Sequence, residues 1–219
     1  MVFDQLRYHN VTTFLLIRHA LCDPVGKSIA GRRAGIHLNE AGRGQALTLA
    51  ARLSGLPLAA IRSSPLERAM ETAKPLASAL SLPVVLDKGL NEVDFGDWTG
   101  RTLTELDDLP GWRDFNERRS SSRIPGGETM AEVIGRSLAT LEEIRQTPGL
   151  SGRLIALVSH GDVLRSLIAH CIGMDLNAIH RIEIAPASVS ILLSEAGNWR
   201  LLLLNSTEGW PAPVSSATR

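Results

Sequence analysis

Two cysteines, Cys22 and Cys171, are all that the 219 residues contain. They lie far apart and form no CxxC pair, which excludes a disulfide framework and a cysteine-based zinc site. Lysine is almost as scarce, with 3 against 20 arginines, and 23 basic residues balance 23 acidic ones to leave no net charge. Without a positive surplus, a protein that coats nucleic acid or an anionic membrane surface is excluded. No apolar run exceeds the five residues of Leu154–Val158, where about 20 are needed to cross a bilayer. Asp4, Arg7, Tyr8 and His9 precede the first apolar run, a pattern foreign to a secretory signal. The expected location is therefore the cytoplasm, with reduced thiols and no membrane or nucleic-acid partner.

What is present is a 44% apolar chain, enough for a sizeable core, and one domain is expected over residues 1–219. Short β-rich runs alternate with segments of helical period. Thr12–Ile17, Leu58–Arg62, Pro83–Leu86 and Leu154–Ser159 read as strands, the first continuous in apolar character as a strand buried on both faces should be. Asn39 reads as the cap of a helix carrying Ala46, Leu49, Ala50 and Leu53 on one stripe. Ser64-Pro65-Leu66-Glu67 reads as a capping box opening a second helix, with Pro75 bending it. Thr129–Gln146 is amphipathic, and Gly161 opens a helix to about Ile172. Two runs flanking Gly197-Asn198 form a hairpin. The expected fold is α/β: a three-layer sandwich with a mostly parallel central sheet, helices on both faces, a C-terminal hairpin and a flap insertion at about 89–127. A frayed tail is expected at 211–219.

The chemistry emerges at the strand ends. Arg18 and His19 directly follow the first strand, His160 directly follows Leu154–Ser159, and Arg68 lies in the first turn after the Leu58 strand. In an open parallel sheet ligands bind outside the carboxyl ends of the strands, so these residues meet at one edge if the strands are neighbours. Two guanidinium groups repel a divalent cation and favour an anion. A tetrahedral phosphoryl group suits them: arginine grips its oxygens, one imidazole attacks phosphorus and the other donates to an equatorial oxygen. The leaving oxygen needs a proton, and Glu92 at the start of the flap is the leading donor, with Asp94, Asp97 and Glu128 as rivals.

Five segments carry a resemblance: Leu16-Ile17-Arg18-His19-Ala20, Ser63-Ser64-Pro65-Leu66-Glu67-Arg68-Ala69 with Thr72-Ala73, Leu90-Asn91-Glu92 with Phe95-Gly96, Pro125-Gly126-Gly127-Glu128, and Ser159-His160-Gly161. In this order they resemble the histidine phosphatase superfamily, the phosphoglycerate mutase-like enzymes, over about residues 12–205. The resemblance implies that His19 is a nucleophile forming phosphohistidine, that Arg18, Arg68 and His160 hold the phosphoryl oxygens, and that Glu92 is the proton donor. It implies no metal and no cofactor. Ala20 stands where the family has glycine, a change that is harmless only if its φ is negative. Arg32, in Gly31-Arg32-Arg33, resembles a substrate-loop arginine, and Cys22 is expected to sit near the substrate and make activity sensitive to alkylation.

The expected activity is hydrolysis of a small phosphorylated metabolite. Phosphoglycerate mutase-type transfer and a silent phospho-ligand module are the alternatives, and the moderate flap length favours hydrolysis. His9, His37, His170 and His180 are expected to be surface or packing residues, Arg165 a structural ion pair, and Arg118, Arg119 and Arg123 a solvated face. The tryptophans of the flap are expected to pack within it. The hairpin edge is the expected surface of a homodimer.

Overall fold

A computed structural model describes residues 11–195 and 197–208, so the expected tail at 211–219 lies outside the described residues. Among the described residues no helix is long and apolar enough to cross a membrane. The chain runs β1 (Val11–Arg18), α1 (Glu40–Leu53), β2 (Leu58–Ser63), α2 (Glu67–Leu80), β3 (Val84–Leu86), α3 (Leu103–Asp107), α4 (Pro110–Glu117), α5 (Met130–Gln146), β4 (Leu154–Ser159), α6 (Gly161–Cys171), β5 (Val189–Glu195) and β6 (Asn198–Ser206).

The six strands form one sheet in the order β3-β2-β4-β1-β5-β6. Pairings β3–β2, β2–β4 and β4–β1 are parallel, and the hairpin β5–β6 adds antiparallel strands beside β1. The α/β sandwich is thus as expected. Burial explains the run of β1: Val11 through Ile17 are all buried, because this strand is central and covered on both faces. One face, with Leu15, Ile17, Val158 and Ile191, packs on Leu49 and Leu53 of α1 and Ala73 and Leu76 of α2. The other, with Phe14, Leu16, Leu157 and Leu192, packs on Leu141 and Ile144 of α5 and Leu164, Leu167 and Ile168 of α6.

The helix starts are mostly those of the sequence. Asn39 accepts a hydrogen bond from the Gly42 amide, and Thr129 with Glu132 closes a capping box on α5. The second helix departs from expectation. It starts at Glu67 with Leu66 at the cap position and no side-chain cap: the Ser64 hydroxyl bonds His160 Nε2 at 2.8 Å and accepts from the Leu66 amide only at 3.4 Å. Pro75 lies inside the helix as expected.

The segment 89–127 is a flap with a core of its own. Phe95, Trp98, Leu106, Phe115 and Ile124 cluster on Met130 and Val133 of α5 and Val163 of α6. Trp98 meets Trp112 edge-on at 5.3 Å and Phe115 at 5.4 Å, so the aromatic residues pack within the flap as expected. A bridge from Ser28 to Thr102 ties the flap to the loop after β1.

The path of the chain after β1 depends on a close approach. The Leu21 carbonyl accepts from the Asn39 amide, and the Leu21 amide donates to Gln45. A Cβ on Gly42 would lie 1.9 Å from the Leu21 oxygen. Gly42→Ala should therefore destabilise the fold by about 1–3 kcal/mol, the usual range for an overpacked site. It should also lower activity by moving residues 20–22, as read by thermal denaturation and turnover; an unchanged melting temperature would contradict the close packing.

Candidate active site

The β1–β4 register places Arg18 opposite Ser159, and the His19 amide donates to the Ser159 carbonyl over 2.9 Å. His19 and His160 consequently emerge side by side, with ring centroids 5.1 Å apart. Because β2 lies on the other side of β4, α2 starts beside them and delivers Arg68. The Ala20 amide donates to Thr72 Oγ1, which donates to the Arg68 carbonyl, so the segment after His19 and the first turns of α2 are fastened together. Ala20 has no positive φ, and alanine fits there without strain.

Each side chain has a defined orientation. The Ala20 carbonyl can only accept, so the 2.8 Å contact with His19 places a proton on Nδ1 and leaves the Nε2 lone pair unprotonated. Arg18 donates from Nη1 to the Ile184 carbonyl at 2.6 Å and lies against Gly161, whose Cβ would be 3.3 Å from the guanidinium. Arg68, 1% exposed, donates from Nη2 to the Gly31 carbonyl. His160, fully buried, bonds through Nε2 to Ser64 Oγ at 2.8 Å. Glu92 Oε1 accepts from the Val93 amide, while Oε2 stands 3.7 Å from His160 Nδ1 and 4.0 Å from Arg68.

Three nitrogens of this cluster, Arg18 Nε, Arg68 Nη1 and His160 Nδ1, are buried without a hydrogen-bond partner among the described residues. Arg18, His19, Arg68, Glu92 and Gly161 line a cavity of about 160 Å³. Its outer wall includes Pro24, Val25, Ile29, Phe95 and Leu103, and Asp162 and Arg165 border it.

Burial dominates the electrostatics. It drives the His19 pKa down to about 3, helped by Arg68 and more weakly by Arg18, and it pushes His160 well below the usual imidazole value with Arg68 and His19 acting in the same direction. Both rings are therefore neutral at pH 7. Glu92 moves the other way, up to about 7, because burial outweighs the opposing attraction of Arg68. Burial also pushes Asp162 upward, but Arg119 and Arg165 on either side hold it below the usual carboxylate range.

Arg18, His19, Arg68, His160 and Glu92 thus come together. Among the rival carboxylates, Glu128 is occupied by Arg136 and Arg32, Asp94 accepts from the Gly96 amide and faces Arg32 at 3.6 Å, and Asp97 abuts Gly126. Arg32 does not line the cavity: its Nε donates to the Glu92 carbonyl and its Nη2 pairs with Glu128. Cys22 does line it, but is 2% exposed, and burial raises its pKa. That environment disfavours the thiolate, which argues against the expected reactivity. Arg119 overturns another expectation. Far from belonging to a solvated face, it is 2% exposed, stacks over Phe115 and pairs with Asp162. Arg165 is an ion pair with Asp162 as expected, although it also borders the cavity. Sequence reasoning missed Ser64, which looked like a helix cap, and Arg136, whose place on a polar helix position carries no local signal.

The family model for the histidine phosphatase superfamily (branch 1) matches residues 14–207. Phosphoserine phosphatase 1 of Hydrogenobacter thermophilus is 32% identical over 200 residues, covering 88% of this chain and 92% of its own. The Salmonella choleraesuis protein named probable phosphoglycerate mutase GpmB is 31% identical over 164 residues, 74% of this chain and 75% of its own. Among solved structures, mycobacterial glucosyl-3-phosphoglycerate phosphatase superposes with a TM-score of 0.82 at 29% identity, covering 90% of this chain and 99% of its own.

The raised Glu92 pKa sets a pH dependence of stability. In the unfolded chain glutamate ionises near ~4.3, whereas the folded protein retains the proton up to about 7. Stability from this proton is complete below the lower value and is lost as the pH rises through the upper one. Wild type should lose up to about 4 kcal/mol across this window that Glu92→Gln keeps. The difference in melting temperature should shift in favour of Glu92→Gln between pH 5 and pH 8; a constant difference would mean an unshifted carboxyl.

Proposed function

The chain belongs to the histidine phosphatase superfamily, and from that premise we propose that it hydrolyses small phosphomonoesters through a phosphohistidine on His19. The observation that carries this reading is the set of three buried nitrogens on Arg18, Arg68 and His160, without a hydrogen-bond partner among the described residues, around the neutral imidazole of His19. Leaving such donors unsatisfied is costly. A phosphoryl group satisfies them, and arginine supplies charge-assisted bonds to its oxygens.

In the first half-reaction the Nε2 lone pair of His19 attacks phosphorus as the bond to the leaving oxygen breaks. Glu92, protonated near neutrality because burial lifts its pKa to about 7, gives its proton to that oxygen. The Nδ1–H bond to the Ala20 carbonyl holds the ring in the required tautomer and stabilises the positive charge it acquires. Arg18, Arg68 and neutral His160 donate to the non-bridging oxygens, where charge accumulates. In the second half, the Glu92 carboxylate takes a proton from water, whose oxygen attacks phosphorus. The P–N bond breaks, and phosphate leaves with His19 neutral again.

The cavity of about 160 Å³ accommodates a phosphoryl group and a compact leaving group, which supports a small metabolite as substrate. The positive charge needed by the phosphoryl oxygens comes from arginine, so the reading calls for no metal or other cofactor.

Three outcomes test it. With p-nitrophenyl phosphate in excess chelator, wild type should release phosphate, and His19→Ala should lose activity by at least about 10³-fold while keeping its melting temperature. Acid quenching of the wild type should trap an acid-labile phosphoenzyme that His19→Ala lacks. For a phosphomonoester with a poor leaving group, kcat/KM should fall as the pH rises through about 7 as Glu92 loses its proton. Substantial turnover by folded His19→Ala would refute the assignment, and return of the phosphoryl group to an organic acceptor in place of water would identify a mutase.

A further inference from the structure

Glu92 lies in irregular backbone between the tight turns Lys88–Leu90 and Gly96–Trp98, outside any strand. Other groups must therefore fix its position. Ser159 Oγ donates to the Leu90 carbonyl and Ser137 Oγ to the Gly89 carbonyl, and one further side chain bonds three carbonyls of the segment. Arg136, on the rigid helix α5, donates from Nη1 to the carbonyls of Gly89 at 2.8 Å and Asn91 at 2.6 Å, and from Nη2 to the carbonyl of Glu92 at 3.1 Å. The remaining face of its guanidinium meets Glu128 through Nε at 3.0 Å and Nη2 at 3.1 Å. Arg32 approaches the same Glu92 carbonyl from the loop after β1, at 2.8 Å, and shares Glu128 at 2.9 Å. Glu128 completes the clamp by accepting from the Asp94 amide.

We propose that Arg136 is a positioning residue for the proton donor, its guanidinium holding the backbone of residues 89–92 so that the Glu92 carboxyl faces the leaving oxygen. This rests on the reading of Glu92 as that donor. Arg136 touches no substrate and acts only through the loop. Its planar fork spans three carbonyls and a carboxylate at once, which the single ammonium of lysine cannot do. Glu128 is the shared counter-ion that keeps both arginines on the loop. Displacements of about 1 Å in a reacting group can lower rates by 10²-fold, so the clamp has kinetic weight even though it stands behind the carboxyl.

The leaving group provides the test. Phenyl phosphate and p-nitrophenyl phosphate are close in shape, but phenoxide needs a proton on departure far more than the acidic nitrophenol does. With kcat/KM as the readout, which covers transfer to His19, Arg136→Lys should lower phenyl phosphate hydrolysis at least about tenfold more than p-nitrophenyl phosphate hydrolysis, part of the 10²–10⁴ of a positioned general acid. It should also blur the descending limb of the phenyl phosphate pH profile. Glu128→Gln, which keeps the fork but removes its counter-ion, should bias the two substrates in the same direction and serves as the decisive variant if Arg136→Lys does not fold. Equal losses on both substrates, with or without a lower melting temperature, would overturn the proposal and leave Arg136 a purely structural residue. Glu92→Gln separates the two ideas: if it shows no leaving-group bias, the donor assignment itself fails and the positioning role falls with it, whereas bias in Glu92→Gln alone sinks only Arg136.

Discussion

The parallel pairing of β1 with β4 is the constraint on which the site depends. Arg18 and Ser159 end the pair in register, and the ladder continues one step further through the His19 amide. Two imidazoles from distant parts of the chain are thereby placed at one sheet edge. A slip by one residue would turn every side chain of β1 to the opposite face, exchanging Phe14 and Leu16 with Leu15 and Ile17 between two different cores. The packing of both sheet faces therefore protects the register, and the register protects the chemistry.

A single physical cause, removal from water, then prepares groups of opposite type. It lowers the affinity of His19 and His160 for protons and raises that of Glu92, because the charged form suffers in each case. His19 is thus unprotonated while Glu92 holds its proton toward neutrality. The arginines reinforce the first effect and oppose the second, and Glu92 stays a weak acid because it is 4.0 Å from Arg68 without a close ion pair. Asp162 shows the contrasting case: similarly buried, but clasped by two cations at 3.0 Å, it remains ionised.

Much of this was legible in the sequence because it follows from local patterns. Continuous apolar runs marked the central strands, Asn39 and Thr129 marked helix starts, and strand-end positions marked Arg18, His19 and His160. What escaped notice was long-range. Ser64 has the composition of a cap, but a histidine 96 residues away takes its hydroxyl. Arg119 sits in a run of charged and polar residues, yet Phe115 and Asp162 enclose it. Arg136 is an ordinary helix residue until the flap folds back onto it, and Glu128, read as a rival donor, is taken up by Arg136 and Arg32 instead. Cys22 is near His19 in sequence, and burial, which raises its pKa, argues against the reactivity that proximity suggested.

The sheet order also governs when the site can come into being. Thr13 of β1 pairs with Leu154 of β4, 141 residues further on, and its other neighbour, β5, is made later still. A ribosome therefore releases the apolar strand that leads to His19 long before either partner strand exists, and closing so long a loop makes for slow assembly. Until then the nascent chain carries Phe14, Leu15, Leu16 and Ile17 uncovered. The same centrality that shields His19 from water in the folded chain leaves β1 without either neighbouring strand through most of synthesis.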